Sequence, residues 1–172
     1  MKLTPRMKLA LIAGLFALPV VASVVTYLFF PPAPSANYGE LLLPPASPPP
    51  ALIAMRERWI MVTWDRAPCD AACVEKITVM RQMRLALGRN ASRVDRVLML
   101  GGAQGNAAVP EGFEGMGVVG AGGVPHAGLV GDAGHIYLVD PNGNVMMRWP
   151  AAPDMKRMLK DLERLLKASQ IG

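Results

Sequence analysis

Apolar residues recur along this chain in three rhythms, and each rhythm predicts a different element. The first is an unbroken run: from Leu9 to Phe30 no charge interrupts 22 positions, and only Gly14, Pro19, Ser23 and Thr26 weaken it. A bilayer core needs roughly 20 helical residues, so the run predicts a membrane-spanning helix over 9–30. The second rhythm is short and continuous. WIMVTW at 59–64 and VLML at 97–100 are apolar at nearly every position, as strands covered on both faces are. HIYLVD at 135–140 and VMMRW at 145–149 flank a PNGN turn and predict a hairpin. The third rhythm is helical. Cys73, Ile77, Met80, Met83 and Leu87 repeat at threes and fours behind a cap at Asp70, and Gly88 ends the stripe. Met155, Met158, Leu159, Leu162, Leu165 and Leu166 do the same behind Asp154, leaving Lys156, Lys160, Asp161 and Arg164 on the wet face.

Eleven of the chain's 17 glycines lie from Gly101 to Gly131, between the strands at 97–100 and 135–140, and that stretch reads as loop. The order is therefore strand, helix, strand, glycine-rich crossover, hairpin, helix, with no internal repeat. This is the order of a thioredoxin-like α/β domain, a mixed central sheet flanked by helices. Ahead of it, residues 31–50 carry eight prolines and predict a stiff, extended spacer. The chain thus divides into an N-terminus at 1–8, an anchor at 9–30, a proline-rich linker at 31–50 and a folded domain at 51–172, long enough for one core.

Charge decides the orientation. Lys2, Arg6 and Lys8 precede the apolar run and no acid occurs before Glu40, so the positive-inside rule keeps the N-terminus in the cytoplasm and sends the domain outside. A cleaved signal peptide shares the charged start and apolar run. The length of the run, and Pro31, Pro32 and Pro34 where a small-residue cleavage site should lie, favour an uncleaved anchor. The formal net charge of +5 shrinks once the three leading cations are set aside: 15 Lys and Arg then face 13 Asp and Glu. So small an excess, in no dense stripe, does not predict a nucleic-acid partner.

The two cysteines of the chain, Cys69 and Cys73, lie in RAPCDAACVEK at 66–76. A structural staple, a redox couple and a pair of metal ligands are all open to them. Helical residues four apart hold their Cβ atoms ~5 to 6 Å apart, whereas a disulfide wants ~3.5 to 4.5 Å, so a bridge requires Cys69 to lie just outside the helix. Closing so short a loop stabilises little. A shared metal suits the spacing at least as well, and the helix N-terminus favours the thiolate in either role. Soft thiolates select Cu(I), and an added imidazole makes Cu(II) tolerable. The 12 methionines fall in helix stripes and strands, so they read as core rather than copper thioethers.

The anchor, the apolar strand, C-x-x-x-C with Glu75 two residues past its second cysteine, and YLVDPNG at 137–143 together resemble the Sco/SenC family of copper-insertion proteins. The resemblance spans roughly residues 39–172 and is closer still to short, divergent proteobacterial members. It implies a single-pass protein of the bacterial inner membrane with its C-terminal domain in the periplasm. It also implies a metallochaperone rather than an enzyme, one that helps build the copper centre of cytochrome c oxidase. Its partners would be the oxidase subunit carrying that centre and a periplasmic thiol reductant. Copper would be held by Cys69, Cys73 and a histidine. The family's histidine lies five residues before the tyrosine, a position that is Asp132 here, so His135, two before Tyr137, is the candidate and His126 a weaker one. Val74 stands where a proline usually follows the second cysteine. Two other functions remain open: a periplasmic thiol-disulfide oxidoreductase with Cys69 and Cys73 as its redox pair, keeping oxidase cysteines reduced, and a non-catalytic assembly scaffold.

Overall fold

A computed structural model describes residues 4–29, 37–47, 49–55, 57–102, 111–120 and 134–169. It separates into two units, Met1–Ala36 and Asn37–Gly172. The first holds helix α1, Pro5–Phe29, whose described side chains are all exposed and which is long and apolar enough to cross a membrane. It starts ahead of the expected Leu9 because Thr4 caps it, its Oγ1 accepting from the Met7 amide at 3.4 Å, and because Pro5 suits a first helical position.

In the second unit, β1 (Glu40–Ala46), β2 (Trp59–Arg66), β3 (Val94–Gly101), β4 (Gly117–Gly120), β5 (His135–Val139) and β6 (Val145–Pro150) form one sheet in the order β1-β6-β5-β2-β3-β4. Strands β2, β3 and β4 run parallel, β5 is antiparallel to β2, and β6 is antiparallel to β5 and β1. A parallel pair needs a crossover, and α3, Ala71–Ala86, supplies it between β2 and β3. A short helix, α2 (Pro50–Ile53), precedes β2, and α4, Met155–Ala168, ends the described chain.

Alternation along the strands sorts the core into two layers. Met61, Leu98, Leu138 and Met147 face the layer built with α3 and α4, which contribute Cys73, Ile77, Met80, Met158, Leu162 and Leu166. Ile60, Val62, Val97, Met99, Tyr137 and Val139 face the other side, where Leu52 of α2 packs. The register slips between Leu138↔Met147 and Val139↔Val145. This leaves Met146 as the extra residue of a bulge and lets Val145 and Met147 serve opposite layers. The methionines in the helix stripes and strands are buried or half-buried in these layers, as their spacing predicts.

Three features differ from the sequence expectation. The folded unit begins well before Ala51, because β1, within the expected linker, pairs with β6 through Glu40↔Arg148 and Leu41↔Met147. Pro44 and Pro45 fall within β1, where the register shifts between Leu41 and Ala46 and Leu43 is exposed; an outer strand tolerates prolines that a central one would not. Second, the glycine-rich stretch contributes a strand, β4, paired with β3 from Val97↔Gly117 to Leu100↔Gly120. Third, Asp161 is not on the wet face of α4 but buried, at 2% exposure. Its carboxylate accepts from the Tyr38 amide at 3.2 Å, the Gly39 amide at 2.8 Å and Trp149 Nε1 at 3.2 Å. Glycine is required at 39: a Cβ there would lie 2.5 Å from Trp149 Nε1 and 2.6 Å from the Met147 sulfur. Tyr38 completes the clasp, its hydroxyl accepting from the Asp154 amide at 3.0 Å and its ring lying 4.3 Å under the Arg157 guanidinium.

Candidate redox and metal site

Strand β2 delivers its chain to the N-terminus of α3 through Ala67 and Pro68, joined by a cis peptide. Asp70 caps α3, Oδ1 accepting from the Cys73 amide at 2.9 Å, which places Cys69 one residue outside the helix and Cys73 in its first turn. That offset brings their Cα atoms to 5.3 Å, and the two sulfurs are joined as a disulfide. Cys69 is half-buried, whereas Cys73 is fully buried in the layer under α3. The outer sulfur is therefore the one that an incoming thiol or ligand can approach, and the inner one is held by the core. Reduced, both thiols sit where the first-turn amides favour negative charge.

Lys76, three residues past Cys73, is buried at 3% exposure. Its Nζ lies 2.7 Å from Asp65 Oδ2 and 3.2 Å from the Trp64 carbonyl. This ion pair fastens the end of β2 to the first turns of α3, on either side of the loop that carries Cys69. Asp65, Asp70, Glu75 and Lys76 line an open cleft of about 310 Å³ with Gly134 and Ala151. Sequence reasoning missed the pair, although a signal was present: position 76 falls on the buried face between Cys73 and Met80, where a lysine needs a partner. Lys76→Met is expected to destabilise the domain by about 3 kcal/mol, because it strands a mostly buried carboxylate, and Asp65→Leu in the same chain should recover most of that loss. Thermal melts of the two single variants and the double variant measure this coupling, and additive losses would refute it.

The structure does not gather His135 with the cysteines. His135 opens β5, half-buried, with its carbonyl accepting from Thr63 Oγ1 at 3.0 Å. Alternation puts its side chain on the side of Tyr137, whose ring centroid is 6.0 Å away, while Cys73 packs on the opposite side of the sheet. Among the described residues no three Cys, His, Asp or Glu side chains converge to share a metal ion. His126 and Asp132 lie outside the described residues. Trp64, half-buried, lies against Gly101, where an added Cβ would meet its ring at 2.9 Å.

Fold and site together define a thioredoxin-like protein with a C-x-x-x-C disulfide at a helix N-terminus. The sequence profile of the family described as "Transmembrane-like, thioredoxin-like, C-terminal domain" matches residues 59–169, well over half of the chain, and the chain belongs to that family. No curated protein matches it in sequence. Among solved structures it is similar to the apo Sco1 protein of Thermus thermophilus, at 16% identity and a TM-score of 0.51 over 77% of this chain and 99% of that one. It is also similar to a SCO1/SenC family lipoprotein of Bacillus anthracis str. Ames, at 14% identity and 0.49 over 67% and 85%. A third is ScoI of Bradyrhizobium japonicum with copper bound, at 16% and 0.45 over 64% and 87%. At 16% identity the likeness to the Thermus protein is one of fold alone.

Proposed function

We propose that this chain is a Sco/SenC-type assembly factor, tethered to the bacterial inner membrane by α1 with its domain in the periplasm. In this reading it carries Cu(I) on Cys69 and Cys73 to the copper-bearing subunit of cytochrome c oxidase. The observation that carries the reading is the position of the pair. Two cysteines straddle the cap of α3 in a Sco-like fold, one sulfur accessible and one buried, and YLVDPNG forms β5 and its turn as the resemblance requires.

Copper is the cargo in this scheme. A periplasmic thiol reductant gives two electrons and two protons to the Cys69–Cys73 bond and leaves as its own disulfide. Cu(I) then replaces the two thiol protons, which pass to solvent, and the ion is released by ligand exchange through Cys69. The cysteines are the ligands of this scheme because soft thiolates fit Cu(I), and two of them suffice to hold it. The test is a Cu(I) competition titration on the reduced full chain. One ion should bind per chain, and His135→Ala should leave the affinity within about threefold, since its side chain lies across the sheet from Cys73. A loss above tenfold in His135→Ala would restore the histidine to the ligand set.

The formed disulfide, with no third ligand gathered beside it among the described residues, favours a second reading, a thiol-disulfide oxidoreductase that keeps oxidase cysteines reduced. Here Cys69 attacks the target disulfide and Cys73 resolves the mixed intermediate, passing two electrons to the target. A wild-type chain that binds no Cu(I), with a reduction potential well above about −300 mV, would select this reading. A potential below that value would remove it.

A further inference from the structure

Arg96 occupies a position its neighbours do not predict. It shares the α3-facing side of β3 with Val94, Leu98 and Leu100, and is buried at 5% exposure. Nη2 donates to the Glu114 carbonyl at 3.2 Å, but Nε and Nη1 are buried with no acceptor among the described residues. Three N–H donors of a permanently charged group thus go unanswered, where buried polar groups are ordinarily paired. Two more guanidiniums stand beside it. Arg84 is fixed by Nε donating to the Ala91 and Val94 carbonyls at 3.0 and 2.9 Å, and Arg81 is exposed one turn earlier on α3. Burial, and then repulsion from Arg84 and Arg81, pull the Arg96 pKa below its ordinary value.

The three arginines line a half-open cleft of about 210 Å³ with Leu85, Gly112 and Glu114. Glu114 offers no internal answer: among the described residues no ion pair joins its carboxylate to any of the three. We infer that this cleft is a binding site for a single small oxyanion, a phosphate or carboxylate group, with Arg96 as its floor and Arg81 at its mouth. An anion there would give the buried Arg96 charge a counter-charge at the cleft and offset the mutual repulsion of three like charges. Arginine suits the role because its donors match the oxygens of such groups. The site is separate from the cysteines, since Arg81 lies eight residues beyond Cys73, about 12 Å along α3. It does not rest on the copper reading.

The test is isothermal titration of the full chain in uncharged detergent, with inorganic phosphate and with acetate as probes, chloride holding the ionic strength constant. At least one probe should saturate at one ion per chain. Arg96→Gln should abolish that binding, and Arg81→Ala, an exposed change that leaves the core intact, should weaken it about tenfold. Circular dichroism and the Cys69–Cys73 disulfide report whether each variant folds; if Arg96→Gln does not, Arg81→Ala decides. Saturation by phosphate but not acetate assigns a phosphate group, and the reverse a carboxylate. Failure of both probes to saturate overturns the site, as does binding that Arg81→Ala leaves unchanged, which would show an adventitious ion only.

Discussion

Cys73→Ser, in the fully reduced chain, should weaken Cu(I) binding on the order of a thousandfold, about 4 kcal/mol. Two physical reasons set that size. A serine oxygen is a hard donor that Cu(I) does not favour, so the ion would be left with Cys69 alone. That remaining sulfur is half-buried at the protein surface, where solvent and buffer ligands compete for the metal. Cys69→Ser should lose nearly as much, although the surviving Cys73 thiol is fully buried. Competition with a chromophoric Cu(I) chelator measures both variants. Since the Asp70 cap bonds to the Cys73 amide rather than its side chain, α3 keeps its N-terminus in the variant, and lost binding cannot be assigned to a lost helix. Wild-type affinity in Cys73→Ser would end the copper reading without touching the fold.

Asp161→Ala should lower the unfolding free energy by about 4 kcal/mol, a large share of the roughly 5 to 15 kcal/mol that holds a domain together. The carboxylate is buried and serves three donors, the amides of Tyr38 and Gly39 and the indole of Trp149. Hydrogen bonds to a charged group contribute about 1.5 to 3 kcal/mol each, and donors left unanswered in the interior cost more than the bonds they lose. Part of the loss is recovered because the two amides lie near the start of the unit and can turn to water. A thermal melt of the full chain should show the midpoint fall by about 10 to 15 °C. Asp161→Asn, which keeps one oxygen acceptor, should fall less. A shift under about 3 °C in Asp161→Ala would mean that Tyr38 and Gly39 are held by β1 alone.

Much of this architecture was legible because its signals are local. Apolar runs fixed β2 and β3, the PNGN turn fixed the β5–β6 hairpin, and Asp70 and Asp154 marked both caps, each accepting from the amide three residues on. What escaped depends on contacts distant in sequence. Asp161 looks like a surface acid on α4 until residues 38 and 39, more than 120 positions earlier, supply its donors. The same clasp explains β1: a segment rich in proline reads as spacer, and only pairing with β6 makes it a strand. At the candidate site the cysteines announced themselves by spacing. Their disulfide turned on one offset, with Cys69 outside the helix, which the cap predicts. His135 was the harder residue: the strand read over 135–140 puts it on the face of Tyr137, but that this face meets the layer of Leu52 while Cys73 packs in the other follows only from the packing.

The two outer strands of the sheet limit how another protein can read this domain. On one side β1 interrupts its own row of backbone donors, since Pro44 and Pro45 have no N–H to give. On the other side β4 is only four residues long and begins and ends in glycine. Among the described residues, neither rim offers a long uninterrupted row of backbone donors and acceptors for a visiting peptide to extend the sheet. In the function proposed above, a client would then be met by side chains and loops around the Cys69 end of the fold rather than by an added strand.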